Sequence, residues 1–294
     1  MSDALDREPQ ISAAMLVNST QLKEHLQDPT WVIFDCRHDL LDHAKGARQY
    51  QEGHIPGAHF APVETALSGT KDGTNGRHPL PTPNTFAVFL AAHGVSALST
   101  IVAYDDCGGL YAARLWWLAR WIGLESVMLL DGGLPRWVAD GGAITTEVRA
   151  PEPAIVRPHA ESGMVWSTKQ VLSHLPDPTI AIIDARAAER FRGDVEPMDP
   201  VAGHIPGALN RFYKNNLQPD LTFRPAAELK TEFSALIKNR APKNVVHQCG
   251  SGITACANIF AMEYAGLAGS KLYAGSWSEW VADRSRPIAR GAAS

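Results

Sequence analysis

Short apolar runs punctuate the chain, and each closes on a polar residue or a glycine. VIFDCR, IVAY and VMLLDGG do so in the N-terminal half, and AIIDAR, NVVH and KLYAGS in the C-terminal half. Apolar runs of this length, bounded by turn signals, read as buried strands. Amphipathic stretches lie between them. A hydroxyl N-cap, Ser19 in one half and Thr168 in the other, opens a short helix ahead of the first strand. A glycine-rich turn and a second amphipathic helix follow IVAY and NVVH. Strands alternating with helices predict an α/β fold with a largely parallel sheet flanked by helices.

The two halves repeat one pattern. MLVNSTQLKEHLQDPTWVIFDCR at 15–37 is matched by MVWSTKQVLSHLPDPTIAIIDAR at 164–186, and GHIPGA occurs at 53–58 and again at 203–208. An offset of 143 then aligns the region from IVAYDDC with that from VVHQCGS, and carries Trp137 onto Trp280. Self-similarity on this scale implies two domains built from one unit. The expected boundaries are 1–143 for the first domain, 144–163 for a proline-bearing linker without periodicity, and 164–294 for the second domain.

The 294 residues suffice for two ordinary domains, each with its own core. A net charge of -4 gives no reason to expect nucleic acid or an anionic membrane as partner. No apolar run approaches the ~20 residues of a membrane span. The start, MSDALDREPQ, is polar and acidic, unlike a signal or transit peptide, so the cytoplasm is the expected compartment. The four cysteines, Cys36, Cys107, Cys249 and Cys256, form no Cys-x-x-Cys pair, and the histidines show no ligand spacing; neither a metal nor an organic cofactor is expected.

One cysteine stands where chemistry gathers in such folds, between a strand's C-terminal end and a helix N-terminus. Cys249 follows KNVVHQ and begins Cys249-Gly250-Ser251-Gly252-Ile253-Thr254-Ala255. Gly250 and Gly252 allow a curled backbone whose N–H groups, with the positive helix end, favour an anionic sulfur. In the first half the offset of 143 sets Asp106 at the matching place, which implies a catalytically inert first domain; Cys107 falls one residue out of register. Cys256 lies about two helical turns beyond Cys249 and reads as a buried small residue. A phosphatase cradle needs Arg six residues after its cysteine, and here Ala255 stands there.

Together the two Asp-x-Arg strand ends, both GHIPGA motifs and the CGSGITA loop resemble the tandem rhodanese-domain sulfurtransferases, over nearly the full length. Gly250 and Ser251 after the cysteine, in place of Arg and Lys, are the pattern of the mercaptopyruvate branch. The resemblance implies two rhodanese-like domains and a ping-pong transfer of sulfane sulfur through a Cys249 persulfide. The donor would be 3-mercaptopyruvate. The acceptor would be a thiol such as thioredoxin or glutathione, or cyanide. Substrate would meet Gly250, Gly252, Ile253 and Thr254 in the loop, and Arg190 would bind the donor's carboxylate. Met198 stands where the family has a second arginine, with Arg192 a possible substitute. The family's Ser-His-carboxylate set maps onto Ser251, His78 and Glu64, across the two domains. A thiosulfate sulfurtransferase and a non-catalytic sulfur carrier are the alternative readings.

Overall fold

The computed structural model describes residues 15–292. Its first unit runs β1 (Leu16–Val17), α1 (Ser19–His25), β2 (Trp31–Asp35), α2 (Lys45–Glu52), β3 (His59–Phe60), α3 (Pro83–Ala92), β4 (Thr100–Tyr104), α4 (Ala112–Trp121), β5 (Val127–Leu130) and α5 (Gly133–Ala139). Its sheet has the order β1-β5-β4-β2-β3, with every pairing parallel. The second unit runs α6 (Thr168–Ser173), β6 (Ala181–Asp184), α7 (Ala188–Arg192), β7 (Leu209–Asn210), α8 (Ala226–Ile237), β8 (Val245–Gln248), α9 (Thr254–Tyr264), β9 (Lys271–Leu272) and α10 (Ser276–Trp280). Its order is β7-β6-β8-β9, again parallel, and Val165 bridges Leu272 where β1 stands in the first sheet. The sheets therefore share one topology, with helices on both faces, and β6 and β8 are buried along their whole length as that arrangement demands.

Two local details differ from the sequence reading. The caps of α1 and α6 are Asn18 and Ser167, one residue earlier than Ser19 and Thr168. Each cap is extended and reciprocates with a glutamine at the third helical position, Gln21 or Gln170. That capping box fixes the start, because the glutamine must reach back to the cap's own N–H. The stretch 144–163 is tied to the first unit. Thr145 bridges His54, and the N–H groups of Ala154, His159 and Glu161 donate to Ala91, Ile122 and Trp121, each at 2.9 Å.

The repeated motifs lock together. The Arg37 guanidinium grips Asp35 and donates to the Gly53 carbonyl at 2.6 Å; Arg186 grips Asp184 and donates to the Gly203 carbonyl at 2.8 Å. Gly53 and Gly203 open the two GHIPGA segments, so Asp-x-Arg and GHIPGA form one buried clasp at the strand ends. The two units meet through α4 and α9, where Trp116 and Phe260 pack edge to face with centroids 5.0 Å apart, and one apolar core spans both. This contact carries the loop after β8 against residues of the first unit.

Candidate active site

The loop from β8 to α9 is held by its carbonyls. The carbonyls of Cys249 and Gly250 accept from the N–H groups of Trp277 and Ser278 at the start of α10, at 3.0 and 2.9 Å. The Cys249 N–H donates to Ser276 Oγ at 3.1 Å. With its carbonyls turned away, the loop directs the Gly252 N–H at Cys249 Sγ, 3.1 Å away. Gly252 sits at φ +80°, where a Cβ would run into the Ala274 carbonyl, so only glycine fits. Gly250 serves differently. Its φ is not left-handed, and its missing Cβ leaves room for Arg77, whose terminal nitrogen would lie 2.8 Å from one. No side chain caps α9.

Cys249 lies at the floor of a cavity of about 250 Å³. Of the residues singled out from sequence, Cys249, Gly250, Ser251, Ile253, Thr254 and Arg190 line it, and Gly252 lies behind the sulfur. Leu40, Arg77, Leu110 and Tyr111 join the wall from the first unit, and Arg186, Phe212, Tyr213 and Lys214 are among those that join it from the second.

His78 and Glu64 reach the site from the first unit. His78 Nδ1 is 2.7 Å from Ser251 Oγ, and its Nε2 is 2.8 Å from Glu64 Oε1. Burial raises the Glu64 carboxyl, but hydrogen bonds from Lys71 and His78 outweigh it and hold the pKa at about 2. Glu64 is thus ionised and only accepts. Nε2 of His78 must carry the hydrogen, which leaves Nδ1 to accept from the Ser251 hydroxyl. Burial lowers the His78 pKa to about 4 against the pull of Glu64, so the ring is neutral at pH 7. The result is a Ser-His-carboxylate relay ending beside Cys249. Two more imidazole nitrogens, Nε2 of His38 and of His43, face the same Glu64 oxygen at 3.7 and 3.9 Å.

Arg190 and Arg77, in the wall of the same cavity, belong to a network of charges. Arg190 donates to Glu196 at 2.6 Å and lies 3.5 Å from Asp199; Arg186 also reaches Glu196, at 3.2 Å. Asp199 pairs with Arg77, and burial raises its pKa against that pull. Arg192 does not join them: it is half-exposed and paired with Asp194. Met198 gives only its backbone N–H, to Glu196 at 3.0 Å. Besides Arg190, the guanidiniums that line the cavity with Cys249 are Arg186, held by Asp184 and Glu196, and Arg77, from RHPLP in the first unit. Sequence reading passed over Arg77 and Lys214, since lone basic residues in loops carry no signal of the cavity that they face. It also passed over Arg114. This residue is wholly buried in α4 and donates to the carbonyls of Leu67, His78 and Gly252, at 3.2, 3.1 and 3.1 Å. One side chain thus ties the relay to the cysteine loop.

The other three cysteines lie outside the cavity. Burial pushes the Cys36 and Cys107 thiols well above the ordinary value, and Cys256 up to about 12 despite Arg114 nearby. The register also corrects the match between the halves. Tyr104 and Gln248 occupy equivalent rungs opposite Asp35 and Asp184, so Asp105, not Asp106, takes the place of Cys249. The Asp105 carbonyl accepts from the Leu134 N–H as that of Cys249 does from Trp277. The offset is thus 144 at the strand and 143 at Trp137, so the first loop is one residue longer. The Asp105 carboxylate accepts from four backbone N–H groups, those of Cys107, Gly109, Tyr111 and Ala112, at 2.8–3.0 Å.

Comparison with known proteins follows the same lines. The model of the rhodanese-like domain matches twice, over residues 18–140 and 167–283. A Pseudomonas aeruginosa protein named "Probable 3-mercaptopyruvate sulfurtransferase" is 46% identical over 283 residues, which is 96% of this chain and all of that one. The bovine protein named "Thiosulfate sulfurtransferase" is 33% identical over 238 residues, 79% of each chain. Among solved structures, SseA from Escherichia coli, described as a 3-mercaptopyruvate sulfotransferase, superposes with a TM-score of 0.77 at 32% identity, covering 90% of this chain and 99% of its own.

Proposed function

This chain belongs to the tandem rhodanese-domain sulfurtransferases, in their 3-mercaptopyruvate branch, and we propose on that footing that Cys249 takes sulfane sulfur from 3-mercaptopyruvate and releases pyruvate. The observation that carries the reading is the relay Glu64–His78–Ser251, which ends beside Cys249 in a cavity flanked by Arg190 and Arg77.

In the first half-reaction the Cys249 thiolate attacks the donor's sulfur. The S–S bond forms and the C–S bond breaks, and the electron pair moves onto the leaving group as the enolate of pyruvate. The enolate takes up a proton at carbon. Ser251 stands where it can donate toward the enolate and be reset through His78, with Glu64 fixing the imidazole tautomer. Arg190 and Arg77 hold the donor's carboxylate with charge-assisted bonds. The Gly252 N–H supports the sulfur that becomes the persulfide. In the second half-reaction an acceptor thiolate, from thioredoxin or glutathione, or cyanide, takes the outer sulfur and returns Cys249 to its starting state. The first domain, residues 1–143, supplies His78, Glu64 and Arg77; the second, 164–294, supplies Cys249, Ser251 and Arg190.

A thiosulfate donor is the second reading. Lys214, Arg77 and Arg190 in the cavity wall favour it, since a small dianion uses cations that a monocarboxylate does not need. The two readings part on kcat/KM for both donors, measured at one pH with cyanide as common acceptor. A ratio favouring mercaptopyruvate by tenfold or more is expected; a ratio favouring thiosulfate overturns the donor assignment and leaves the Cys249 chemistry standing.

A further inference from the structure

We propose that His38, His43 and Glu64 form a binding site for a zinc-type divalent ion, and that an ion held there inhibits sulfur transfer by drawing Glu64 away from His78. His38 and His43 come from the single loop that joins β2 to α2, and Glu64 from the segment after β3. Their ligand atoms all lie within 4.8 Å of one another. Nε2 of His38 and of His43 stand 3.7 and 3.9 Å from Glu64 Oε1. Ligands of a tetrahedral zinc at about 2.0–2.1 Å lie roughly 3.4 Å apart, so small side-chain rotations assemble three protein ligands and leave a fourth position for water.

The independent sign of a ligand is His38 itself. Its side chain is 3% exposed, and Nε2 has no hydrogen-bond partner among the described residues. A buried polar nitrogen without a partner is costly, and a metal ion supplies what the protein does not. His43 is half-exposed, which gives an ion a way in; its Nε2 would give up a 3.2 Å contact to the Leu40 carbonyl. Lys71 on Glu64 Oε2 is the competing cation, and at 45% exposure it can swing aside. Two imidazoles and a carboxylate suit zinc rather than magnesium or calcium, which take oxygen ligands.

The inhibitory half of the proposal rests on the relay reading; the binding half does not. Glu64 Oε1 is the oxygen that accepts from His78 Nε2. An ion on Oε1 leaves that N–H without its acceptor, so the tautomer that receives the Ser251 proton is no longer enforced.

The test begins with Zn²⁺ titrated into the Cys249→Ser protein, so that the reactive thiolate is not a ligand. Binding is read by competition with a chromophoric chelator and by the visible absorption of Co²⁺. One ion per chain is expected, with affinity falling on the order of 10- to 100-fold when His43→Ala or His38→Gln is added. Absence of binding, or the same affinity in both added variants, overturns the site. The second arm uses the protein with Cys249 intact. The rate of persulfide formation is followed at free Zn²⁺ fixed by a metal buffer. Zn²⁺ should slow the wild type, and His43→Ala should keep its rate and resist the ion. Binding that depends on His38 and His43 without any slowing keeps the site and overturns the inhibition; the relay is judged separately, by the turnover of Ser251→Ala and His78→Asn without added ion.

Discussion

In the first half of the molecule four backbone N–H groups close on the Asp105 carboxylate; in the second half the equivalent loop turns its Gly252 N–H to the sulfur of Cys249. Sheet order, clasp and strand register are otherwise the same. The first cradle carries its own anion, covalently attached and fully hydrogen-bonded, and so has no room for a second. It also caps α4, since Tyr111 and Ala112 start that helix, whereas α9 has no side-chain cap. A strand-to-helix turn that gathers N–H donors binds an anion in either case. What differs is whether that anion belongs to the fold or to the reaction. On the proposed function, the first half furnishes the site of the second, since His78, Glu64, Arg77 and Arg114 all come from it.

The comparison breaks most sharply at the two occupants. Cys249→Ser should reduce turnover to background with any donor, and adding Asp105→Cys should not restore it, because no relay meets that loop. Rescue by the double variant, assayed as thiocyanate formation, would contradict the asymmetry. Next in size is the relay. Ser251→Ala and His78→Asn should each lower kcat with mercaptopyruvate by roughly 10²–10⁴-fold, with thiosulfate turnover less affected. Equal losses with both donors would give the relay a structural role only.

Arg190→Ala and Arg77→Ala should each raise KM for mercaptopyruvate by about one to two decades, the loss of a charge-assisted bond of roughly 1.5–3 kcal/mol, and leave KM for cyanide near its original value. If Arg192→Ala does this and Arg77→Ala does not, the carboxylate lies elsewhere. Asp105→Asn should act on stability rather than chemistry. It turns an amide toward N–H donors and forfeits about 1–3 kcal/mol, measured by urea unfolding, while kcat of the folded protein changes little.

The smallest effect concerns pH. His78 in the folded protein titrates near 4, below the ordinary histidine value, because burial disfavours its charge. His59 is likewise lowered to about 4 and His247 to about 3. Between about 6.5 and these values the unfolded chain binds protons that the folded one refuses, so stability should fall as pH drops below 6.5. The His78 ring stays neutral from 6.5 down to about 4, so the donor half-reaction should show no histidine limb near 6.5. A kcat/KM profile with a break there would mean that His78 is not held neutral.

Much of this was legible in the chain. The apolar runs and the internal repeat lead to two parallel α/β units, and the cysteine-glycine loop stands out because a strand end, two glycines and a helix start coincide. The rest was hidden for physical reasons. Asp105 and Asp106 are adjacent identical residues, and only strand register tells which one fills the cradle. Arg77 and Lys214 matter because the packing of α4 on α9 carries distant loops to one cavity, which no local spacing encodes. Arg114 sits among AARLWW, where an arginine reads as the polar edge of an amphipathic helix; its burial follows from three carbonyls that the fold brings to it. Arg192 and Arg190 differ by two residues on one short helix, and only Arg190 faces the cavity.

The central claim, a single live cradle, is tested most directly by mass. The protein is incubated with mercaptopyruvate without acceptor and digested; its cysteine-bearing peptides, one of which holds both Cys249 and Cys256, are weighed and fragmented to place any added sulfur. The account predicts one added sulfur atom, placed by fragmentation on Cys249, and none on Cys36, Cys107 or Cys256. Added sulfur on any of these three, with Cys249 unmodified, would contradict it.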